Sequence, residues 1–360
     1  MGGISRQTSL IYRDKPVFGL DIGHSSVKLI QIENIQKKSV ITAYGTAYFN
    51  PDAIKKGVIT DLEAIVKPIY DLVTKNLVGS LSTKRVAMSV PNEHSFSRVI
   101  TLPKMDDKDL ADAVRTEAEQ SIPLSLDLLY FDYEITGTLA DGSIEVQLVA
   151  IPKEIIDSYI MLAEALGLEV AFIETNISAV TRIVRHTERT ENLNTLIVDL
   201  GSTAADLSIF DGKTIRGTGT AECGSENVTK LLTKSLGVTE EQAYIIKTRY
   251  GLDKSKKQTE IISALDPELN KLIIEIKKVV RYFAERSKEG EIDQIIILGG
   301  GANMPGLNNY ITDHTHVPTR LCSPWTSLSF GKLQPPKSTE TNVYTTAGGL
   351  SLARPEEMSK

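Results

Sequence analysis

The sequence predicts an α/β fold in which a unit of three strands, a helix and a further strand occurs twice. Apolar and polar residues alternate with a period of two over residues 17–49, which is typical of consecutive half-buried strands. The same order of elements begins again at residue 195. A chain of 360 residues exceeds one ordinary domain and can form two, each with its own buried sheet. We therefore expect a duplicated, two-lobed protein.

The first copy opens with an antiparallel meander. Its three strands read VFGLDIG, SSVKLIQIE and SVITAYGTAYF. Apolar residues at helical spacing, such as Ile65 and Ile69, predict a helix over residues 58–77, and a strand follows at 86–91.

The second copy repeats this order with a larger helical part. It starts with the strand TLIVDLG at residues 195–201 and continues with two further strand patterns. A mostly helical block covers residues 239–290, and the apolar strand pattern IDQIIILGG begins at 292. Near the C-terminus, the small residues of YTTAGGLSLA are suited to close helix packing.

Residues 95–167 lie between the copies and predict an inserted subdomain. Asp106 is placed to cap a helix with one apolar face. The strand patterns LLYFDYEI and SIEVQLVAI flank the turn signal Ala140-Asp141-Gly142, which predicts a hairpin. A helix over residues 153–166 closes the insert.

The composition narrows the class of function. A net charge of −6 provides no basic surface, so we expect no nucleic-acid partner. No apolar stretch approaches the roughly 20 residues of a membrane span, so we expect no direct membrane insertion. The N-terminus lacks the apolar segment of a secretory signal. Cys223 and Cys322 are too few for a cysteine-built metal site. These features together predict a cytoplasmic protein.

The first candidate site is the first Asp loop, residues 21–26, which joins two predicted strands. A glycine there permits a sharp turn while backbone amides and hydroxyls face a phosphate, and a strand-ending Asp can hold Mg²⁺ through its water ligands. A tight hairpin turn also favours Asp and Gly, and the lysine on the second strand can point either to a phosphate or to solvent. The residues in question are Asp21 as metal ligand and Gly23, His24, Ser25, Ser26 and Lys28 as phosphate contacts.

The second Asp loop, residues 199–203, repeats this chemistry in the second copy. Asp199 is the candidate metal ligand, and Gly201, Ser202 and Thr203 are candidate phosphate contacts. One such turn is explained equally well by hairpin chemistry. Two of them at equivalent places in a duplicated fold predict a phosphate clamp between the halves.

A third glycine-rich element, the glycine loop of residues 298–303, follows an apolar strand and opens a helix. Glycines between a strand and a helix permit close packing or close approach of a ligand, whereas a flexible loop is the alternative. We favour a nucleotide contact. The candidate residues are Gly299, Gly300, Gly301 and Asn303.

The three loops resemble those of the actin-like ATPase superfamily, and the resemblance covers residues 17–353. It implies a duplicated, ribonuclease H-like fold that binds ATP or ADP with Mg²⁺ between its halves. Residues 222–229 and 242–251 resemble the GGxxxT and AExxK segments that flank base and ribose in bacterial members. Tyr244 replaces the usual acidic residue, which leaves one ribose contact unassigned. The contacts implied here are Gly224, Glu226, Asn227 and Lys247.

The insert is similar to the FtsA-type insert of the PilM family of type IV pilus assembly proteins. The resemblance rests on RTEAEQSIPL at residues 115–124 and YFDY at 130–133. It implies an ATP-binding scaffold of the inner-membrane assembly platform, with a groove for the N-terminal cytoplasmic tail of a PilN-like membrane protein. The resemblance also implies contacts with other pilus assembly proteins and a peripheral location at the inner face of the cytoplasmic membrane. It leaves homo-oligomer formation open.

The superfamily resemblance also implies subdomain boundaries. They are an N-terminal tail over residues 1–16, subdomain 1A over 17–94 and 168–192, inserted subdomain 1C over 95–167, subdomain 2A over 193–238 and 292–353, subdomain 2B over 239–291, and a C-terminal tail over 354–360.

Hydrolysis requires a group that positions or deprotonates the attacking water. In the superfamily an acidic or amide side chain at the helix entry after the insert has this role, and Glu174 is the candidate in this chain. Because Glu174 is offset by one residue from the expected place, we expect hydrolysis to be slow or absent. Asn176 is expected to cap the helix that follows.

Two other functions stay open at this point. A filament-forming, FtsA-like division protein would carry the same insert, but the C-terminal residues 354–360 have no apolar face for membrane targeting. A sugar or acid kinase of the same superfamily would need an Asp between the halves as general base, and no clear candidate stands out.

Overall fold

The computed structural model describes residues 15–139, 141–188, 190–253, 255–286 and 290–353. Most of the predicted N-terminal tail, the C-terminal tail and Ala140 of the predicted turn lie outside these residues.

The first half contains the predicted meander, the insert and the helix that leads to the second half. Its elements are β1 (Phe18–Ile22), β2 (Ser26–Ile35), β3 (Lys38–Tyr48), β4 (Ile54–Lys55), β5 (Val58–Ile59), α1 (Glu63–Asp71), β6 (Val78–Gly79), β7 (Arg85–Val90), β8 (Phe96–Leu102), α2 (Asp107–Ser121), β9 (Leu129–Thr138), β10 (Ile144–Pro152), α3 (Lys153–Ala165), β11 (Glu169–Thr175) and α4 (Asn176–Thr187).

The second half repeats the order of strands with more helix. Its elements are β12 (Thr195–Leu200), β13 (Ala205–Phe210), β14 (Ile215–Ala221), α5 (Ser225–Leu236), α6 (Glu240–Arg249), α7 (Gln258–Arg286), β15 (Gln294–Leu298), α8 (Leu307–Thr315), β16 (Thr319–Leu321) and α9 (Thr345–Ser351).

The two main sheets have equivalent topology. The first has the order β11-β7-β1-β2-β3-β6 and the second the order β14-β13-β12-β15-β16. In each, the first strand of the copy lies centrally, pairs antiparallel with the next strand and pairs parallel with a later strand. This arrangement confirms the predicted duplicated α/β fold.

The insert forms its own three-stranded sheet with the order β8-β10-β9. Helix α2 packs its apolar face on this sheet, and the Asp106 carboxylate caps α2 by accepting a hydrogen bond from the Asp109 amide at 2.9 Å. The predicted hairpin is present as β9 and β10. Helix α3 instead buries Ile155, Tyr159 and Leu162 in the core of the first main sheet, so it joins the insert to that sheet.

The helix predicted over residues 58–77 is wrong at its N-terminal end. Val58–Ile59 form β5, which pairs with β4 around a turn at Gly57, whose φ is 80°. The helix starts at Glu63, after the Asp61 carboxylate accepts a hydrogen bond from the Ala64 amide at 3.1 Å. Alternation over a short apolar run did not reveal this hairpin because its strands are only two residues long.

Helix α4 and helix α9 connect the two halves. Val180 and Val184 of α4 pack with residues of the second sheet, whereas Ala179 packs with the first. Helix α9 brings the end of the chain back to the first half, onto α4 and β1. A Cβ atom added at Gly349 would lie 1.8 Å from the Ala179 carbonyl oxygen, so the predicted close packing by small residues is confirmed.

This contact gives a test of the packing. Helix propensity alone predicts that Gly349→Ala stabilises the protein by up to about 1 kcal/mol. Because the added Cβ would clash with backbone, we expect instead a loss of about 1–3 kcal/mol in the free energy of unfolding, measured by urea titration. Gly217→Ala is the control, since its nearest neighbour would be Tyr282 Cε1 at 4.0 Å. A stabilised Gly349→Ala variant would contradict the packing of α9.

Candidate functional site

Asp21 and Asp199 lie in equivalent positions, each next to the last residue of the central strand of its half. Asp21 lies in β1 and Asp199 in β12. Burial raises the pKa of Asp199, and with the negative charges of Asp206 and Asp21, opposed by Lys28, it reaches about 7. The charges of Asp21 and Lys28 in the first half therefore act on Asp199 in the second half.

The first Asp loop is a tight, hydrogen-bonded hairpin. The Gly23 amide donates to the Ser26 carbonyl at 2.9 Å. The Ser89 hydroxyl donates to Asp21 Oδ1 at 3.0 Å, and Lys28 Nζ lies 3.9 Å from Asp21 Oδ2. Lys28 therefore points back to the loop and not into solvent, where it can neutralise Asp21 or meet a phosphate.

The second Asp loop is tied to the first turn of α5. The Gly201 amide closes the hairpin on the Ala204 carbonyl at 2.9 Å. The amides of Ser225 and Glu226 donate to the carbonyls of Gly201 and Ser202 at 3.0 and 2.9 Å. The Ser202 hydroxyl also donates to Glu226 Oε1 at 2.6 Å. The N-terminus of α5 thus fixes this loop, while the side chain of the predicted contact Thr203 is exposed.

Glu226 also reaches across to the first half. Its Oε2 atom lies 3.9 Å from His24 Nε2 of the first Asp loop. A Cβ atom at Gly224 would lie 2.2 Å from the Ser202 carbonyl oxygen, so only glycine permits this approach. Asn227 Nδ2 donates to Glu268 Oε1 at 2.9 Å. Glu268 is a buried carboxylate of α7 that the sequence reading missed, because nothing marks it within a long charged helix.

Lys247 is buried and makes three hydrogen bonds. Its Nζ donates to the Ser225 carbonyl at 3.0 Å, to the Ser225 hydroxyl at 2.8 Å and to the Thr229 hydroxyl at 2.8 Å. Burial lowers the pKa of Lys247 to about 8. In this arrangement Lys247 tethers α6 to α5, beside a small cavity of about 20 Å³ that Gly301 also lines.

The glycine loop packs directly on the second Asp loop. Gly299 has a φ of 83°, and a Cβ atom there would lie 2.2 Å from Asp199 Oδ1. At Gly301 the added Cβ would lie 3.0 Å from Leu200 Cβ, whereas at Gly300 the nearest atom would be 3.6 Å away. Asn303 Oδ1 accepts a hydrogen bond from Asn342 Nδ2 at 3.2 Å. Two of the three glycines are therefore required by loop packing beside Asp199.

A polar cluster that includes Asp206 bridges the halves and was missed from the sequence. Asn176 Nδ2 donates to Asp206 Oδ2 at 2.7 Å, and Asn176 Oδ1 accepts from the Asn92 amide at 3.0 Å. The Thr220 hydroxyl donates to Asp206 Oδ1 at 2.9 Å. The expectation that Asn176 caps α4 is wrong, because Thr175 is the cap. In the sequence, the signal for Asp206 is that a charged residue interrupts the otherwise mostly apolar strand ADLSIF.

Glu174 lies level with Asp21 in the first sheet, with one strand between them, and is paired with an arginine. In the first sheet Glu174 is in register with Ser89, which is in register with Asp21. Both carboxylate oxygens of Glu174 accept hydrogen bonds from the Arg182 guanidinium, at 2.5 and 2.8 Å. A carboxylate held in this bidentate pair is a poor base for an attacking water.

The chemistry of the pocket suits Mg²⁺ that is shared with a phosphate. Within the described parts of the chain, no three His, Cys, Asp or Glu side chains converge as a metal site by themselves. Mg²⁺ usually takes one or two carboxylates and completes its shell with waters and phosphate oxygens. Asp21 and Asp199, flanked by two turns rich in backbone amides and hydroxyls, fit that requirement.

Comparisons with known proteins agree with the fold. The profile of the family described as type IV pilus assembly protein PilM matches residues 19–355. A chain of the "PilM-PilN type IV pilus biogenesis complex" superposes with a TM-score of 0.81 at 21% identity, over 94% of this chain and 98% of that one. MreB5 of Spiroplasma citri bound to ADP superposes with a TM-score of 0.52 at 12% identity, over 94% and 95% of the two chains.

The cell division protein FtsA of Enterococcus faecalis is also similar to this chain. It is 23% identical over 330 residues, which are 80% of this chain and 74% of that protein. The structural likenesses establish the actin-like fold, and the family profile favours the pilus assembly family over the division-protein alternative. Among the described helices, none combines the length and apolar character needed to cross a bilayer.

The raised pKa of Asp199 predicts how the ligand-free protein responds to pH. Because the folded-state pKa of about 7 exceeds the unfolded value, ionisation of Asp199 opposes folding increasingly as the pH rises from about 4 to about 7. Asp199→Asn removes this ionisation. We expect its gain in unfolding free energy to be about 2–3 kcal/mol larger near pH 8 than near pH 5.

The measurement is urea unfolding in EDTA without nucleotide. Asp52→Asn, at an exposed position, is the control and should show no pH-dependent difference. An equal gain for Asp199→Asn at both pH values would show that folding does not raise the pKa of Asp199.

Proposed function

We propose, from the premise that this chain belongs to the PilM family of type IV pilus assembly proteins, that it is an ATP-binding scaffold of the inner-membrane assembly platform. In this function it holds the N-terminal cytoplasmic tail of a PilN-like membrane protein, and a chain of the same fold is part of the "PilM-PilN type IV pilus biogenesis complex". It would then work in the cytoplasm, peripheral to the inner membrane through this partner.

The observation that carries nucleotide binding is the convergence of two equivalent Asp loops. Each loop has a carboxylate, a glycine turn and hydroxyl groups, and the contact of His24 with Glu226 at 3.9 Å brings the first loop beside the helix turn that holds the second. An MreB5 relative with this fold is described as bound to ADP. Asp21 and Asp199 would hold Mg²⁺, and the two loops would contact the phosphates, with the first turn of α5 and the glycine loop nearer the nucleoside.

We expect bound ATP to be hydrolysed slowly or not at all. Glu174 remains the candidate for the water-activating group, and its carboxylate is engaged by Arg182. Asn176 and Asp206 also lie between the halves, but each is satisfied by its partners there. The same saturation of Asp206 counts against a kinase, which needs an available carboxylate as general base.

Removing both metal-binding carboxylates tests the nucleotide site. We expect Asp21→Ala/Asp199→Ala to abolish the thermal protection that Mg-ATP gives to the wild-type protein, because no carboxylate then holds the ion. At ATP concentrations of about 100 times Kd, that protection corresponds to about 2.7 kcal/mol. The double variant Asp52→Ala/Asp313→Ala, with one exposed aspartate in each half, is the control.

Unchanged protection in the first variant would remove the nucleotide site from this pocket. ADP formation is followed in the same samples, and turnover at the 1–1,000 per second usual for enzymes would contradict the scaffold function.

The open edge of the insert sheet is the place where we locate the partner tail. Strand β9 pairs with β10 alone among the described strands, so its outer edge can accept an added strand. Leu128, just before β9, and Tyr130 within it are 61% and 46% exposed, and Met161 on the adjoining α3 is 57% exposed. Asp132 and Asp157 border these apolar side chains and are exposed. This surface fits an extended tail with apolar and basic residues.

A charge placed in this surface tests the partner site. We expect Leu128→Asp to weaken binding of a synthetic PilN-like tail by at least about tenfold, or about 1.4 kcal/mol, because it replaces an apolar contact by a charge. Fluorescence anisotropy of the labelled peptide gives the Kd. Ile274→Asp on α7, at a side chain that is 65% exposed, is the matched control. Equal Kd values for both variants would move the tail to another surface.

A further inference from the structure

The insert touches the second half through the edges of two sheets. Strand β8 is one edge of the insert sheet, and β14 is one edge of the second main sheet. These two edge strands lie against each other. The insert is therefore in contact with both halves, since α3 anchors it to the first main sheet.

An ion pair spans this contact. Arg216 Nη1 on β14 lies 2.5 Å from Glu145 Oε2 on β10, and Arg216 Nε lies 2.5 Å from Asp211 Oδ2. The side chains are 23%, 16% and 5% exposed, respectively, so solvent screens the pair far less than it screens a surface pair. Asp211 also accepts hydrogen bonds from the amides of Lys213 and Thr214, at 2.8 Å each, which fixes the guanidinium in position.

Both sides of the pair lie at β-bulges. Phe210 is in register with Ile215 and Ile209 with Gly217, so Arg216 is the extra residue of β14. On the insert side, Thr136 is the extra residue of β9, next to Gly137, which is in register with Glu145. A bulge redirects a side chain away from the regular pleat, and the β14 bulge turns Arg216 toward the insert sheet.

Strand β14 connects this pair to the nucleotide pocket. Thr220, near its other end, donates to Asp206, and Asp206 is in register with Asp199 of the second Asp loop. On the other side, Glu145 is in register with Gly137 of β9, the strand whose open edge is the proposed partner site. The second Asp loop and the partner edge are thus connected through β14, the Arg216–Glu145 ion pair, and β10 paired with β9.

We propose that the Arg216–Glu145 ion pair couples nucleotide binding between the halves to binding of the partner tail on the insert. This inference rests on the proposed function. A nucleotide that holds the halves together keeps β14 against the insert, and Arg216 then fixes the sheet that presents β9. Bound Mg-ATP consequently strengthens tail binding. Arg216 acts as a positioning residue, since it touches neither ligand.

The test compares the Kd of the tail peptide with and without Mg-ATP in the full-length chain. For the wild type we expect the ratio of the two Kd values to be at least about 5, as is typical of coupled sites. In Arg216→Gln and in Glu145→Gln we expect a ratio of about 1, with the nucleotide-free Kd unchanged. The double variant should have the same Kd ratio as either single variant, because each single substitution already removes the interaction between the two side chains.

Arg281→Gln is the control, since Arg281 on α7 forms an exposed ion pair with Glu285 at 4.0 Å. It should keep the wild-type ratio. Thermal melts verify that each variant is folded, and the two single variants test the pair from opposite sides. Wild-type ratios in both variants would overturn the inference.

Binding of the tail and of Mg-ATP to the wild-type protein separates a failure of the coupling from a failure of the proposed function. A wild-type protein that binds both the tail and Mg-ATP with a ratio of 1 would overturn the coupling and leave the scaffold function intact. A wild-type protein that binds no tail in either state would overturn the scaffold function and the coupling with it.

Discussion

The carboxylates that end the two central strands repel each other, and much of the surrounding polar structure compensates for this. Lys28 lies beside Asp21, and Asn176 and Thr220 donate to Asp206. For Asp199, the charge of Lys28 only partly offsets burial and the two neighbouring carboxylates, and its pKa is raised to about 7. A folded protein tolerates such a local loss of stability where a ligand supplies the missing charge. A divalent cation with its phosphates would do so here.

The sequence allowed the repeated fold and the three loops to be predicted because these depend on local pattern. Period-two alternation gave the strands, and the place of each Asp loop followed from the order of elements. The bridging roles of Asn176, Asp206 and Glu268 depend on contacts between segments that are far apart in the chain. The hairpin at Val58 was missed because two-residue strands carry no periodicity.

Residues of one chemical type have separate roles in the pocket, which residue identity alone could not reveal. Lys28 faces the carboxylates, whereas Lys247 uses its three donors to join α6 to α5. Asp21 and Asp199 lie beside backbone amides and hydroxyls, whereas Glu174 is held by Arg182. The carboxylates proposed as metal ligands thus form no such arginine pair within the described residues, whereas the carboxylate proposed to activate water is engaged. This division favours a binding function over a catalytic one.

A scaffold of this kind can be controlled by binding alone. Moving two lobes from mostly open to mostly closed requires a differential affinity of about 5.5 kcal/mol, and a few charge-assisted hydrogen bonds of about 1.5–3 kcal/mol each can provide it. A nucleotide that contacts both Asp loops makes the full set of these bonds only when the halves are together, so it stabilises that arrangement. Rapid hydrolysis would undo the arrangement. With Glu174 held by Arg182, the lifetime of the closed scaffold would be set by nucleotide exchange.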